Sequence, residues 1–481
     1  MKKLVVTLIA ILLLTAAGWA GSTWFIAGQV HQHSADLAAQ LSELGMMEVS
    51  VQNYRRGFLD ATFDTVLELP LPPSAKTAQG NAQPATPQVF RLTFANRVHH
   101  GPLLPGAAPG LALVETRLVD MAPGQEELRK VFTQVPQLKE SLAVTRVDFS
   151  GTLHERFAIP AFTTNVDATA ISWGGLRSDA AYSPQDKTLK ANFDMSQLDV
   201  RDTDGSLSWA GANGSFDLAE ALPLVYVGAS KFTFNPMEMN FTSKESAQPQ
   251  SMRMQSIKAV SDSSCDGKLV AVNQTLEFEG VDINGQTYGP GTYDIEMKNL
   301  DGEVLSQLQA QARQLMRDTK DNPEQMGGQL LALYTGMMSR LLQQNPEINL
   351  RKLHFATPQG DVDANLQLRF AAVPEASPAS MATMLQGLDA QAEIALHETL
   401  VRQILSGQIH NQLVAARNAG KIPDTFTDDA LAQMAKDQVS NQIETFLAQN
   451  LAVRDGERLK SQATFKQGEL VVNGQNLPLF Q

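Results

Sequence analysis

The sequence predicts an α+β protein: an N-terminal transmembrane helix followed by an elongated, curved, mainly antiparallel β-sheet with amphipathic helical pairs packed on one face. Three observations carry that expectation. An uncharged run, Leu4 to Ala27, stands directly behind Lys2 and Lys3. Apolar and polar residues alternate with period two from Leu142 to Asn299, the signature of strands with one dry and one wet face. Two blocks of helical periodicity, Glu303 to Gln344 and His397 to Asn450, interrupt the alternation.

The N-terminal run is long enough to span a bilayer core of roughly 30 Å at about 1.5 Å per residue. Its flanks place lysines on one side and no Lys or Arg before Arg55 on the other, so the positive-inside bias leaves the N-terminus cytoplasmic and exports the rest. Cleavage after Ala20, with Gly18 at minus three, is the alternative. The apolar character running on through Trp24, Phe25 and Ile26 favours a retained anchor. A helix from His31 to Leu44 continues out of the membrane until Gly45 stops it.

Val49 to Leu69 alternates on both sides of Arg56-Gly57, which predicts two strands joined by a tight turn or kinked at a bulge. Residues 70 to 88 hold five prolines and read as an exposed loop. Strands follow at Phe90 to Val98 and Leu111 to Val119, then a short helix between Gln125 and Lys139 closed by Pro136. In the long alternating middle, Val147, Phe149 and Leu153 face one way and Asp148, Ser150 and Thr152 the other. Seven Asn-Gly or Asp-Gly pairs supply residues tolerant of positive φ, so antiparallel hairpins are expected, and no long amphipathic helix offers parallel crossovers. The first helical block breaks at Asp321-Asn322-Pro323 and the second at Gly420 to Pro423, giving two helical hairpins. Between them lie strands at Ile348 to Phe355, Val362 to Phe370 and Leu385 to Leu396, and Leu459 to Leu479 closes the chain as a hairpin or meander. The expected divisions are 1–28 (anchor), 29–140 (strand-rich), 141–300 (antiparallel β) and 301–481 (β with two helical hairpins).

Composition narrows the function. With 43% apolar and 19% charged residues the chain is a folded one with a sizeable core. A net charge of -13 speaks against nucleic acid and against a surface held by anionic lipid headgroups. Cys265 is the single cysteine, so no disulfide frames the fold. There is no HExxH, CxxC, P-loop, dinucleotide fingerprint or nucleophile elbow; Gly174-Gly175 and Gly327-Gly328 belong to none of them. No cofactor, metal or catalytic residue is expected. His99 and His100 are adjacent and point to opposite faces of a strand, which does not suit one ion. Arg55-Arg56 beside Tyr54 offers guanidinium forks for a phosphate or carboxylate, although a turn with packed or paired arginines is the plainer reading. Methionines on the helical stripes suit a core or an adaptable apolar groove.

Two motifs, Val49-Ser-Val-Gln-Asn-Tyr-Arg-Arg-Gly-Phe and Val98-His-His-Gly-Pro-Leu, together with the tail Gly468-Glu-Leu-Val-Val-Asn-Gly-Gln475, resemble the YdgA-like family of bacterial envelope proteins, a domain of unknown function. The motif positions carried over are Asn53, Tyr54, Arg55 or Arg56, Gly57, His100, Gly101 and Pro102, with no role attached. The resemblance implies a single-pass inner-membrane protein of a Gram-negative cell with its bulk in the periplasm, and implies no catalytic residues. In architecture alone the chain is similar to AsmA-type envelope proteins, whose long curved sheet can shield acyl chains. The expected function is non-catalytic binding of lipid or another hydrophobic ligand, with inner-membrane lipids as partners. A protein-binding scaffold or homo-oligomer is the alternative, and an envelope hydrolase comes third.

Overall fold

A computed structural model describes residues 48–57, 60–71, 88–121, 133–242, 249–319, 323–371, 387–423 and 425–478. They form two compact units, one of residues up to Met254 with Glu303–Met337, the other of Gln255–Gly302 with Met338 onward.

In the first unit ten strands make one antiparallel sheet. They are β1 (Glu48–Arg56), β2 (Asp60–Leu71), β3 (Gln88–His100), β4 (Ala112–Met121), β5 (Leu142–Val147), β6 (Leu153–Ile159), β9 (Leu176–Ser183), β10 (Thr188–Met195), β13 (Ala212–Leu222) and β14 (Val225–Phe234), each paired with the next. The strands between them in sequence form a second antiparallel sheet: β7 (Phe162–Val166), β8 (Thr169–Trp173), β11 (Leu198–Arg201), β12 (Gly205–Trp209), β15 (Met237–Thr242) and β16 (Pro249–Met254). The chain therefore passes from sheet to sheet between β6 and β7, β8 and β9, β10 and β11, β12 and β13, and β14 and β15.

Each passage is a two-residue corner: Pro160-Ala161, Gly174-Gly175, Ser196-Gln197, Ala210-Gly211 and Asn235-Pro236. Neighbouring corners satisfy each other's backbone. Gly174 N donates to Gln197 O (2.7 Å) and Ser196 N to Gly175 O (2.9 Å); Ala210 N donates to Pro236 O and Asn235 N to Gly211 O, both at 2.9 Å. At Gly211 the backbone has φ 93°, and an added Cβ would lie 1.9 Å from Met195 O, so only glycine fits.

Large apolar residues line both sides of the corners. Ile159, Leu176, Met195 and Ala212 occupy matched register positions on the first sheet. Phe162, Trp173, Leu198, Trp209 and Met237 do so on the second. All nine belong to or pack against one core. A 3-10 turn, Pro136–Glu140, adds the buried Leu138 to it. The alternation is visible in β6, where Leu153, Glu155, Phe157 and Ile159 are buried and Arg156 and Ala158 exposed.

The helices α1 (Gly302–Asp318) and α2 (Pro323–Leu341) group mainly with the first unit. The second unit is an antiparallel sheet in which β17 (Ile257–Asp266), β18 (Leu269–Phe278), β21 (Gly291–Asp301), β22 (Glu347–Thr357), β23 (Gly360–Phe370), β24 (Leu388–His397) and β26 (Arg458–Lys466) pair in succession. Three short strands extend it, β25 (Val453–Asp455) pairing with β26, and β27 (Glu469–Val472) with β26 and β28 (Gln475–Leu477); β19 (Val281–Ile283) and β20 (Gln286–Tyr288) pair with each other outside this sheet. Its corners obey the same rule: Gln255 N donates to Gly280 O and Glu279 N to Ser256 O. The helical hairpin α3 (Glu398–Asn418) and α4 (Asp428–Ala448) packs Ile409, Ala435, Val439 and Ile443 with Leu459 of β26. His397 and Thr427 cap the two helix starts by accepting from Thr399 N and Ala430 N.

Three expectations are corrected. The fold class is that of a mostly antiparallel β protein, not a sheet coated by helical pairs: what covers the apolar face of the first sheet is a second sheet made by the same chain passages. Among the described residues no helix is long and apolar enough to cross a membrane; α4 alone carries Asp428, Asp429, Lys436, Asp437 and Glu444. As far as the described residues reach, that finding conflicts with the transmembrane helix of the fold class and with the single-pass inner-membrane placement. The run Leu4 to Ala27, the helix His31 to Leu44 and most of the helix Gln125 to Lys139 lie outside the described residues. Phe149 is not a strand residue: β5 ends at Val147 and β6 starts at Leu153, and Phe149 stands exposed on the turn between them. Pro70 also falls within β2, opposite Val89. The last β1 pair, Glu48 with Glu68, lies before it, so its missing N–H falls beyond the ladder with β1.

Gly211→Ala is expected to lose at least about 2 kcal/mol of stability, from a disfavoured φ and a clash with backbone; denaturant unfolding measures it. Trp209 stacks on Phe234 with ring centroids 4.9 Å apart, and its buried indole N–H has no hydrogen-bond partner. Trp209→Phe should therefore cost less than about 1.5 kcal/mol, whereas Trp209→Ala should cost about 3–5 kcal/mol. Equal losses in the two variants would refute that account of the corner.

Candidate functional site

The two sequence motifs converge at one end of the first sheet. In β1 the register slips between Gln52 and Arg55, so Asn53 and Tyr54 together oppose Phe63, a bulge in which Asn53 takes φ 54°. Asn53 Nδ2 donates to Asp64 Oδ2 at 2.6 Å, fixing the bulge across the pair. The bulge turns Tyr54 onto the dry face, where it stacks on Phe63 (centroids 6.1 Å apart) and joins Ala61, Phe63, Val98, Ala112 and Val114. Arg55 and Arg56 stay exposed, and Gly57 closes the hairpin by donating from N to Asp60 O at 2.7 Å.

Two strands away, His100 ends β3. Gly101 N donates to Leu111 O at 2.8 Å and Gly110 N to Pro102 O at 3.2 Å, and the Gly101-Pro102 bond is cis. A Cβ on Gly101 would lie 1.9 Å from Gly110 O, so this glycine lets the two limbs of the 101–111 loop touch. The loop is tied to the next hairpin by Leu111 N donating to Val147 O at 2.8 Å. Asn53, Tyr54, Gly57, Gly101 and Pro102 thus shape the backbone and the packing of this end. Arg55, Arg56, His99 and His100 remain as its side-chain chemistry.

The wet face of the same sheet carries a trough of about 700 Å³ lined by Leu113, Val144, Arg146, His154, Arg156, Asp179, Lys190, Asn192 and Asp217 among others. Register explains its composition. Asp60, His99, Leu113, Arg146, His154, Ala181, Lys190 and Asp217 form one line across the sheet. Arg55, Thr62, Arg97, Glu115, Val144, Arg156, Asp179 and Asn192 form the next on the same face. Strands are about 4.8 Å apart, so His99 stands roughly 10 Å from Arg146.

Most charges in the trough are paired: Arg156 with Asp179 at 3.3 Å and Lys190 with Asp217 at 3.0 Å. Arg146 differs. Its stem passes Gly110, with Cγ 3.8 Å from where a Cβ there would stand, and no carboxylate among the described residues pairs with it. Beside it, Asp148 organises the β5–β6 turn. Its Oδ1 accepts from Ser150 Oγ (2.6 Å), Ser150 N (2.9 Å) and Thr152 N (3.0 Å), and its Oδ2 meets His154 Nε2 at 3.2 Å. The Ser150 hydroxyl first, then His154 and the two backbone N–H groups, outweigh burial and pull the carboxyl down to about 2.

A second cluster, absent from the sequence reading, lies in the other unit. His354 and Asp363 face each other across β22 and β23, Nδ1 to Oδ1 at 2.7 Å, and with Asp361 their ligand atoms lie within 4.8 Å of one another. A divalent ion could use these donor types, but Arg458 already binds both carboxylates, with Nη1 2.7 Å from Asp363 Oδ2 and Nη2 on Asp361. Burial pushes the Asp363 carboxyl up, and His354 and Arg458 together hold it below the usual carboxylate range. The group reads as an ion network joining β22, β23 and β26.

The described strands pair antiparallel, and the trough on the wet face of the first sheet is charged. The chain belongs to a family described as bacterial protein of unknown function (DUF945), whose model matches residues 1–480. That description is coarser than the YdgA-like resemblance and does not carry the name. Searches of curated proteins and of solved structures found no match.

Acid titration checks the Asp148 turn. A carboxyl lowered from 3.8 to about 2 stabilises the fold fully above pH 4, and that contribution fades as pH falls from about 4 toward 2. Asp148→Asn should remove this segment of the acid-unfolding curve while costing about 1–2 kcal/mol at pH 7; an unchanged acid limb would contradict the assignment.

Proposed function

We propose that this chain is a non-catalytic binding protein whose trough takes an amphiphilic ligand, an anionic head on Arg146 and an apolar portion along Leu113 and Val144. The observation that carries the reading is Arg146 itself, a guanidinium without a carboxylate partner among the described residues, set in a trough where the neighbouring cations are paired. Such a group is available to a carboxylate or phosphate with no ion pair to break first. The mixed lining supports an amphiphile in preference to a bare acyl chain.

A dansyl-labelled fatty acid titrated into the full chain tests it. Arg146→Glu should weaken binding at least about tenfold, the scale of one charge-assisted contact, and Arg146→Lys should keep most of it. Equal affinities for the parent and Arg146→Glu would remove the proposal. A second reading, a scaffold for protein partners, is supported by Leu331, Tyr334 and Met338, exposed at helical spacing on α2. It expects sedimentation of the full chain above monomer mass, returned to monomer by Leu331→Ser with Tyr334→Ser.

A further inference from the structure

The turns at the motif end of the first sheet present large apolar side chains to solvent. Leu103 is 71% exposed and Leu111 51%, on the loop between β3 and β4; Phe149 is 59% exposed, on the turn between β5 and β6. The bond from Leu111 N to Val147 O holds these two connections side by side. Asp148 braces the Phe149 turn through four contacts, so the exposed ring sits on an ordered hairpin. Rigid turns that hold three large apolar side chains in water are not explained by the packing of this unit.

Charge surrounds them unevenly. Arg55 and Arg56 are exposed on the neighbouring β1–β2 hairpin, and His99, His100 and Arg146 stand at the ends of β3 and β5. Of the nearby carboxylates, Asp60 pairs with Arg97 at 3.2 Å and Asp148 meets His154 at 3.2 Å, while Glu115 stands in register between Arg97 and Val144. The net charge of -13 rules out attraction of the surface as a whole to anions; contact at this end is local, through Arg55, Arg56 and Arg146.

We infer that this end of the first unit docks on a lipid surface bearing anionic headgroups, with Leu103, Leu111 and Phe149 entering the headgroup layer and Arg55, Arg56 and Arg146 meeting the phosphates. Apolar tips flanked by cations match the two-layered chemistry of a lipid interface, and a net negative body enforces one orientation. The inference does not rest on ligand binding in the trough.

The test places an environment-sensitive nitrobenzoxadiazole label at Phe149→Cys in a Cys265→Ser background of the full chain, mixed with vesicles of phosphatidylglycerol and phosphatidylethanolamine. A local label reports this tip however the rest of the chain behaves. The expected result is a blue-shifted emission that rises at least about twofold, is quenched by brominated acyl chains, weakens about tenfold in vesicle titration with Arg55→Glu and Arg56→Glu, and falls at high salt. The same label at Leu103→Cys should respond alike. Binding of the dansyl fatty acid should be unchanged by Leu103→Ser, which separates this inference from the trough. No emission change on vesicles overturns it, as does an equal response on purely phosphatidylcholine vesicles. A shift without vesicles that accompanies a doubled mass overturns it too, by assigning the tip to a second copy of the chain.

Discussion

The two-residue corner is the constraint on which the first unit depends. A strand that leaves one sheet and enters another must break its ladder, and a broken ladder leaves backbone N–H and C=O groups to be satisfied. Here adjacent corners satisfy one another, Gly174-Gly175 against Ser196-Gln197 and Ala210-Gly211 against Asn235-Pro236. Because the bonds are lateral, the corners align into a row, and the residues just before and after them align as well. Trp173, Leu198 and Trp209 meet in one register line for that reason. The core is thus set by where the chain bends as much as by which residues are apolar.

With the dry faces turned onto a shared core, the other face of the first sheet is left to solvent, and its composition follows from register. Charged residues that alternate with core residues along each strand fall into lines across the strands, and opposite charges in neighbouring positions pair off. The trough is a region of that wet face in which one cation, Arg146, has no such partner. The loop built by Gly101 and Gly110 passes over its stem. Backbone geometry in the His100-Gly101-Pro102 motif and side-chain chemistry in the trough are therefore adjacent parts of one structure.

Much of the local structure was legible. Alternation located the strands, and five of the Asn-Gly and Asp-Gly pairs do lie between paired strands: Asp204-Gly205, Asp266-Gly267, Asn284-Gly285, Asp455-Gly456 and Asn473-Gly474. Both helical blocks break where Pro323 and Gly420 suggest. The division into two sheets was not legible, since Gly-Gly, Asn-Pro and Ser-Gln look alike whether a strand turns back or bends onward. Only the partner of each backbone group distinguishes the two. The site was missed for a related reason. Asp148 and His154 meet across a turn, and Arg146 comes beneath Gly110 by pairing of β4 with β5, a relation that no spacing along the chain displays. Phe149 was assigned to the strand pattern because its parity fits; the hydrogen bonds of Asp148 end the ladder before it. The bulge at Asn53 was foreseen as one of two options, and it fixes which face Tyr54 takes.

The corners also govern how such a chain can change length. Between two corners the chain runs out along one sheet, turns, and comes back, so a residue pair added symmetrically at the distal turn extends a hairpin without disturbing its parity. A single residue inserted between a corner and that turn reverses the facing of everything beyond it up to the turn and shifts the lateral partners of the corner. Variation in size among chains built this way is therefore channelled to the distal hairpin ends, which include the turns at 184–187 and 223–224, while the corner row keeps its count.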